Sequence, residues 1–234
     1  QDSGGGLYSY SSPRMVISDG VKFVGNSAAL LGGGLYARTP PDTAISVLVI
    51  SDGVEFDGNS AQSGGCIFSE IMSLRFLGGV QFRECSATIG AGVNLISGSL
   101  SAERNVTFVG NHAVDQGGSI SAFSSQVYLS DGVVVKDCRA TEGAGVYLVE
   151  GSRLLAEREV TFVGNRARNH GGSISAIRFS HVHLFDRVEL REGFAAAGSG
   201  VYVSSSNLVA VNMSFLDSSA DKVAGGGGVI WEGR

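Results

Sequence analysis

Apolar and polar residues alternate over short runs along most of this 234-residue chain. In the run 46–51, for example, Leu48 and Ile50 are two positions apart, which is the spacing of side chains on one face of a strand. No run of ten residues has the period of an amphipathic helix. Short alternating runs separated by glycine-rich and Ser-Asp-Gly segments predict an all-β protein with many short strands.

A repeat of about 27 residues organises these runs. Each copy has an aromatic or aliphatic anchor residue that follows a valine or methionine by two positions and precedes an alanine by five. The anchors are Phe23, Phe56, Phe82, Phe108, Val135, Phe162, Leu190 and Phe215. A glycine-rich entry to an apolar run follows each alanine, as in GGSISA at 171–176. Each unit is therefore predicted to contribute three short strands and a variable loop.

Units of this size cannot enclose a core alone, and stacking them buries the alternating apolar residues in rows. Because all units run in the same direction, the strands are expected to pair in parallel and to wind with the right hand usual for crossover connections. The sequence thus predicts a right-handed parallel β-helix of about eight coils over residues 1–234. Both ends of the sequence fall inside the repeat, so we expect this single domain to be a segment of a longer repeat protein.

One column of the repeat carries asparagine in half of the coils. Its asparagines are Asn26, Asn59, Asn111 and Asn165. Stacked asparagines can hydrogen-bond between neighbouring coils, which predicts a structural ladder, and the alternative is a set of solvated turn residues. Coils of two types alternate, so the duplicated unit is predicted to be a pair of coils.

The chain has three cysteines, Cys66, Cys85 and Cys138, without a CxxC motif or a nearby pair of histidines. This odd number argues against a disulfide framework and against a zinc site. Cys85 and Cys138 share the asparagine column but lie two coils apart, roughly 9.6 Å by the strand spacing. That separation is too large for a disulfide, so both are expected to be buried free thiols.

The formal net charge of −5 argues against one class of partner. A nucleic-acid-binding surface normally needs an excess of basic residues, so nucleic acid is not expected as a partner. No run of about 18 apolar residues is present, so no direct membrane span is expected. The amino-terminal residues lack the features of a signal peptide.

Charged residues suggest two interpretations. One turn column contains Arg104, Asp131, Arg158 and Asp186, which could bind a charged sugar or form an outward ladder of ion pairs. The ladder is the favoured interpretation. His181 and His183 would lie on one outward strand face, but no third metal ligand is evident. We therefore predict no catalytic residues, no metal and no cofactor.

Three further features could face partners. The sequons at Asn105 and Asn212 occupy the same column and are candidate glycosylation sites. The insertion RTPPDT places Arg38, Pro40, Pro41 and Asp42 in a loop stiffened by two prolines, which is a candidate partner contact. A third column is expected to point outward after the glycines, either to bind sugars or proteins or to be covered by loops. Its members are Tyr36, Phe68, Asn94, Ser121, Tyr147, Ser175 and Tyr202.

The combination of FxxN with GGx followed by Ile, Leu or Val resembles the repeats of the chlamydial polymorphic membrane proteins. The first motif is present as FVGN at 23–26, FDGN at 56–59 and FVGN at 108–111 and 162–165. The second is present as GGGL at 32–35, GGCI at 64–67 and GGSI at 117–120 and 171–174. The resemblance implies a β-helical autotransporter passenger with adhesin activity. The alternate coils depart from it, because cysteine, glycine or serine replaces the asparagine.

These observations predict a non-enzymatic β-helix at the cell surface or outside the cell, associated with the outer membrane if the source is bacterial. It would serve as an adhesin-like stalk or scaffold whose partners are proteins or glycans at a surface. One alternative is a structural subunit that stacks on neighbouring copies end to end, through GGGLYS at 4–9 and GGVIW at 227–231. Another is a β-helix that binds or cleaves polysaccharides.

Overall fold

The structure, a computed structural model, describes residues 2–220 and the backbone of residues 229–232. The chain winds into a parallel β-helix of about eight turns with about 27 residues per turn, as predicted. The described residues contain no helix, and therefore none long and apolar enough to cross a lipid bilayer. Every described strand pair is parallel, because each strand pairs with its equivalent in the next coil.

Sheet I is built from the apolar runs that follow the glycines. Its strands in spatial order are β1 (Leu7–Tyr10), β4 (Leu35–Arg38), β7 (Ile67–Glu70), β11 (Val93–Ile96), β15 (Ile120–Phe123), β19 (Val146–Val149), β23 (Ile174–Ile177), β26 (Val201–Ser204) and β29 (Val229–Glu232). The register is unbroken, with Leu95 opposite Ala122 and Ala122 opposite Leu148.

Sheet II has two arms that meet at a corner in each coil. The first arm contains β2 (Arg14–Ile17), β5 (Ser46–Ser51), β8 (Met72–Leu77), β12 (Ser99–Glu103), β16 (Gln126–Ser130) and β20 (Arg153–Glu157). The second arm contains β3 (Lys22–Val24), β6 (Glu55–Asp57), β9 (Gln81–Arg83), β13 (Thr107–Val109), β17 (Val134–Lys136) and β21 (Thr161–Val163). The long strands β24 (His181–Arg191) and β27 (Asn207–Leu216) span both arms.

Sheet III is formed by the segment after the asparagine column, which the sequence predicts to be a loop. Its strands are β10 (Ser86–Ile89), β14 (His112–Gln116), β18 (Arg139–Glu142), β22 (Arg166–His170), β25 (Phe194–Ala195) and β28 (Ser219–Ala220). Register shifts interrupt β10, β14 and β18, because the chain bulges after the alanine. The variable segment therefore pairs like the others and gives the coil a third wall.

The interior is filled by rows of side chains from equivalent positions of the repeat. The anchors stack in register from Phe23 to Phe215, and the rings of Phe56, Phe82 and Phe108 lie nearly parallel with centroids 5.0 and 4.7 Å apart. These three side chains are fully buried. Burial of such a side chain contributes about 1.5–3 kcal/mol, so the anchor row is a large share of the core.

The glycines after sheet III allow two coils to approach closely. A Cβ atom on Gly118 would lie 2.3 Å from the carbonyl oxygen of Ala144 and 2.6 Å from that of Arg139. Both contacts are with backbone atoms of the next coil, which cannot rotate away. The two coils can therefore pack at this distance only because glycine has no side chain at this corner.

The prediction for Cys85 is wrong. Cys85 forms a disulfide with Cys66, and only Cys138 is a buried free thiol. The expected separation applied to Cys85 and Cys138, which share a column. The disulfide instead crosses the interior between two columns, from the glycine-rich segment of one coil to the asparagine column of the next, where the two Cα atoms are 5.7 Å apart.

One predicted end segment is fully described and the other only in part. GGGLYS leads into β1, the edge strand of sheet I at the amino-terminal end. In GGVIW, residues 227 and 228 lie outside the described residues, and the remainder belongs to β29, which pairs with β26. End-to-end assembly therefore stays a prediction.

Candidate functional site

The asparagine column connects each coil to the preceding coil through the backbone. The Oδ1 atom of Asn111 accepts a hydrogen bond from the backbone N–H of Cys85 at 3.0 Å, and its Nδ2 donates to the carbonyl oxygen of Phe82 at 3.1 Å. Asn165 makes the same pair of bonds to Cys138 and Val135. The side chain thus satisfies both a donor and an acceptor at a turn that is buried from water.

The first two asparagines add a direct contact between side chains. The Nδ2 of Asn26 donates to the Oδ1 of Asn59 at 2.9 Å, and the Nδ2 of Asn59 donates to the carbonyl oxygen of Phe23 at 2.8 Å. Asn59, Asn111 and Asn165 are fully buried, whereas Asn26 is partly exposed. The described geometry of this column is that of interior hydrogen bonding, and it offers no ligand-binding group to solvent.

Two columns that face each other across the interior explain why coils of two types alternate. The disulfide between Cys66 and Cys85 spans 19 residues, and 19 residues also separate Ser119 from Cys138. At that second pair the hydroxyl of Ser119 donates a hydrogen bond to the Sγ of Cys138 at 2.8 Å. Two coils further on, Ser173 stands near Gly193. One interior position is therefore filled by three different pairs in successive two-coil units.

A surface depression of about 700 Å³ lies on the outer face of the first arm of sheet II. Short hydroxyl side chains on β8 and β12 form part of its lining, between the longer Arg75 at one side and Tyr128 and Arg153 at the other. We call this depression the sheet II groove. Its remaining polar lining is Gln126, His181 and His183.

A polar network closes one edge of the sheet II groove. Arg158 makes two hydrogen bonds to the carboxylate of Asp131, at 2.8 and 3.2 Å, and it also contacts Glu157 and the hydroxyl of Tyr128. The guanidinium group of Arg158 lowers the pKa of Asp131, chiefly through these hydrogen bonds. Partial burial raises the pKa of Tyr128. These groups are engaged with one another, so the network holds the edge of the groove in one arrangement.

The turn column of alternating charge contains some of the predicted ion pairs. Arg158 and Asp131 are paired, whereas the nearest partner of Asp186 is Arg187 on its own strand, at 3.8 Å. Arg187 also pairs with Glu159 of the preceding coil. Among the described residues, no group of three His, Cys, Asp or Glu side chains could hold a metal ion. His181 and His183 line the sheet II groove, where His181 lies 3.4 Å from the amide of Asn207.

The column after the glycines is buried, which resolves the two alternatives in favour of coverage. Its members are at most 8 % exposed. The strands of sheet III lead into the segment that covers them: Asn94 donates a hydrogen bond to Ser63, and the ring of His170 stacks on Tyr202 at 4.3 Å. Burial is also the main cause that raises the pKa of Tyr147 to about 12. These aromatic side chains are thus largely covered by neighbouring segments.

The remaining predicted residues lie at the surface. Asn105 and Asn212 are both exposed at the corner between the arms of sheet II. Their backbone φ angles, 62° and 52°, lie in the left-handed region. In the RTPPDT insertion, Arg38 pairs with Glu70 at 3.1 Å, while Pro41 and Asp42 are exposed. Pro40 accepts hydrogen bonds from Thr43, which closes the loop into a turn. Glycosylation and partner contact at these positions stay predictions.

Comparison of the chain with known protein families, with curated proteins and with solved structures finds no match. Of the expected resemblance, the structure shows the architecture alone, which is a parallel β-helix of about eight coils.

Proposed function

We propose that this chain is a non-enzymatic β-helical scaffold that works at a cell surface or outside the cell, in the manner of an adhesin stalk. The observation that carries the proposal is the disulfide between Cys66 and Cys85. Disulfides form and persist in oxidising compartments, and they are rare where glutathione keeps thiols reduced. The resemblance of the FxxN and GGx motifs to surface-exposed passengers points in the same direction.

The side walls support a scaffold role. Charged residues on neighbouring coils pair with each other, as in Lys22 with Glu55 at 2.9 Å and Arg178 with Glu150 at 2.9 Å. In the sheet II groove, the carboxylate of Glu157 is engaged by Tyr128 and Arg158. Such pairing favours a uniform rod, whereas hydrolysis of a sugar would need a carboxyl group free to exchange protons with a substrate.

Carbohydrate binding without cleavage is a second candidate function, favoured by the sheet II groove. Its volume lies in the range of ligand-binding pockets, and it combines an aromatic ring on Tyr128 with hydroxyl and guanidinium donors. Sugars are bound by such combinations, because their C–H faces stack on rings while their hydroxyl groups bond to planar polar groups.

The surface location can be tested by labelling intact source cells with a membrane-impermeant amine reagent. Lys136 is suited to report it, because half of its side chain is exposed and its ion pair with Asp137 is long, at 3.7 Å. We expect Lys136 to be labelled on intact cells to about the same extent as after lysis. Labelling only after lysis, with a cytosolic protein as the internal standard, would place the chain inside the cell and contradict the proposal.

A further inference from the structure

Sheet III carries a second, basic groove on its outer face. Two depressions of about 400 and 480 Å³ lie end to end along the rod and share His112 and Val114 in their linings. The alanine column of the repeat forms the floor, and residues on either side of each alanine form the two walls. We call this surface the sheet III groove.

One wall is basic over three adjacent coils, and the other wall carries a single arginine. His112, Arg139 and Arg166 stand directly opposite one another in β14, β18 and β22, and Arg168 stands on the other wall. None of these three arginines has a carboxylate partner among the described residues. Arginines at the corners behave differently, because Arg158, Arg178 and Arg187 are all paired.

This arrangement is unfavourable for an isolated scaffold. Like charges directly opposite each other in neighbouring strands destabilise a sheet. The carboxylates on the same strands, Asp115 and Glu142, line neither depression, and Glu142 lies 3.4 Å from the Nδ1 of His170. In a chain with a net charge of −5, the basic cluster is a local feature that an external anion would neutralise.

The geometry points to a sulfated polysaccharide as the occupant of the sheet III groove, lying parallel to the axis of the β-helix. Successive arginines are separated by the strand spacing of about 4.8 Å, which is close to the length of one sugar ring in an extended chain. An apolar floor suits the C–H faces of the rings, and Phe194, which is 40 % exposed, provides an aromatic surface at one end. Sulfate esters project sideways from the ring, so they reach both walls.

A sulfated polysaccharide fits better than a nucleic acid. Tight binding of nucleic acid depends on neutralising many phosphates, and the excess of acidic residues elsewhere on this chain would repel the rest of such a polymer. A polysaccharide chain confined to the groove needs only the arginines on its two walls. This occupant goes beyond the proposed surface role, because it is argued from the charge and shape of the sheet III groove and not from the location of the chain.

The test measures binding of dextran sulfate and of unsulfated dextran of the same length to the complete chain, at low and at physiological salt. We expect dextran sulfate to bind, with an affinity that falls as salt rises, and dextran not to bind. The double substitution Arg139→Gln and Arg166→Gln should weaken binding about tenfold or more. The control pair Arg178→Gln and Arg187→Gln removes the same charge from paired corner sites and should leave the affinity within about twofold.

Thermal unfolding of the free protein separates loss of binding from loss of fold. The double variant should unfold at the same or a slightly higher temperature, because it relieves repulsion between Arg139 and Arg166. If it fails to fold, Arg168→Gln on the opposite wall provides the same test. The inference is overturned if dextran sulfate does not bind, if the control pair weakens binding as much, or if single-stranded DNA of matched charge binds more tightly.

Discussion

Replacing Asn111 with leucine is expected to lower the free energy of unfolding by about 3 kcal/mol or more. The substitution removes the acceptor for the backbone N–H of Cys85 and the donor for the carbonyl oxygen of Phe82. Both groups then remain in an interior that water does not reach, because Asn111 is fully buried. Leucine has the same number and branching of side-chain heavy atoms and is bulkier, so the substitution leaves no cavity and the loss reflects the unpaired polar groups together with overpacking.

The same substitution at Asn26 is the matched control. Asn26 belongs to the same column but is partly exposed, and its Nδ2 donates a hydrogen bond to the Oδ1 of Asn59. We expect a loss of about 1 kcal/mol or less there. Chemical denaturation of both variants measures the difference. Equal losses at the two positions would show that the interior bonds of Asn111 do not stabilise the stack.

Substituting Ser119→Cys is expected to create a second disulfide, with Cys138, and to stabilise the oxidised protein by about 3 kcal/mol. The hydroxyl of Ser119 already lies 2.8 Å from the Sγ of Cys138. The pair occupies the positions that Cys66 and Cys85 occupy two coils earlier, with the same separation of 19 residues along the chain. A loop of that size loses enough conformational freedom in the unfolded state to give the stated effect.

The Ser173→Cys variant controls for the addition of a buried thiol. Its counterpart is Gly193, so a cysteine there has no thiol to pair with. The free thiols of each oxidised protein, counted after unfolding in denaturant without reductant or oxidant, should number none for Ser119→Cys and two for Ser173→Cys. A folded Ser119→Cys protein that keeps two free thiols would contradict the register that places residues 119 and 138 together.

The fold could be predicted from the sequence because a solenoid repeats one packing problem in every coil. The anchor row, the alternating runs and the glycines each recur at the same place in the unit, so a single assignment fixes all coils. Phe82 is opposite Phe56 and Phe108 as the repeat requires. The alternation of coil types was also visible in the sequence. Its cause, the filling of one interior position by different pairs, depends on which columns face each other across the interior.

The disulfide and the two grooves were missed for a different reason. Alignment of repeats shows which residues share a column, but it does not show which columns face each other across the interior. Cys66 and Cys85 belong to different columns, and their proximity depends on how the glycine corner turns. Likewise, His112, Arg139 and Arg166 share a column in the sequence, but the segment was expected to be a loop, so their pairing in sheet III could not be foreseen.

The central claim is that coils stacked in this register form a disulfide-linked β-helix in an oxidising compartment. Mapping of the cysteines in the natural protein, isolated without reductant, tests it most directly. We predict a linked pair of peptides containing Cys66 and Cys85. Cys138 should react with an alkylating reagent at pH 8 only after unfolding, because burial raises the pKa of its thiol to about 11. Three free thiols, or a link that includes Cys138, would contradict both the register and the proposed location.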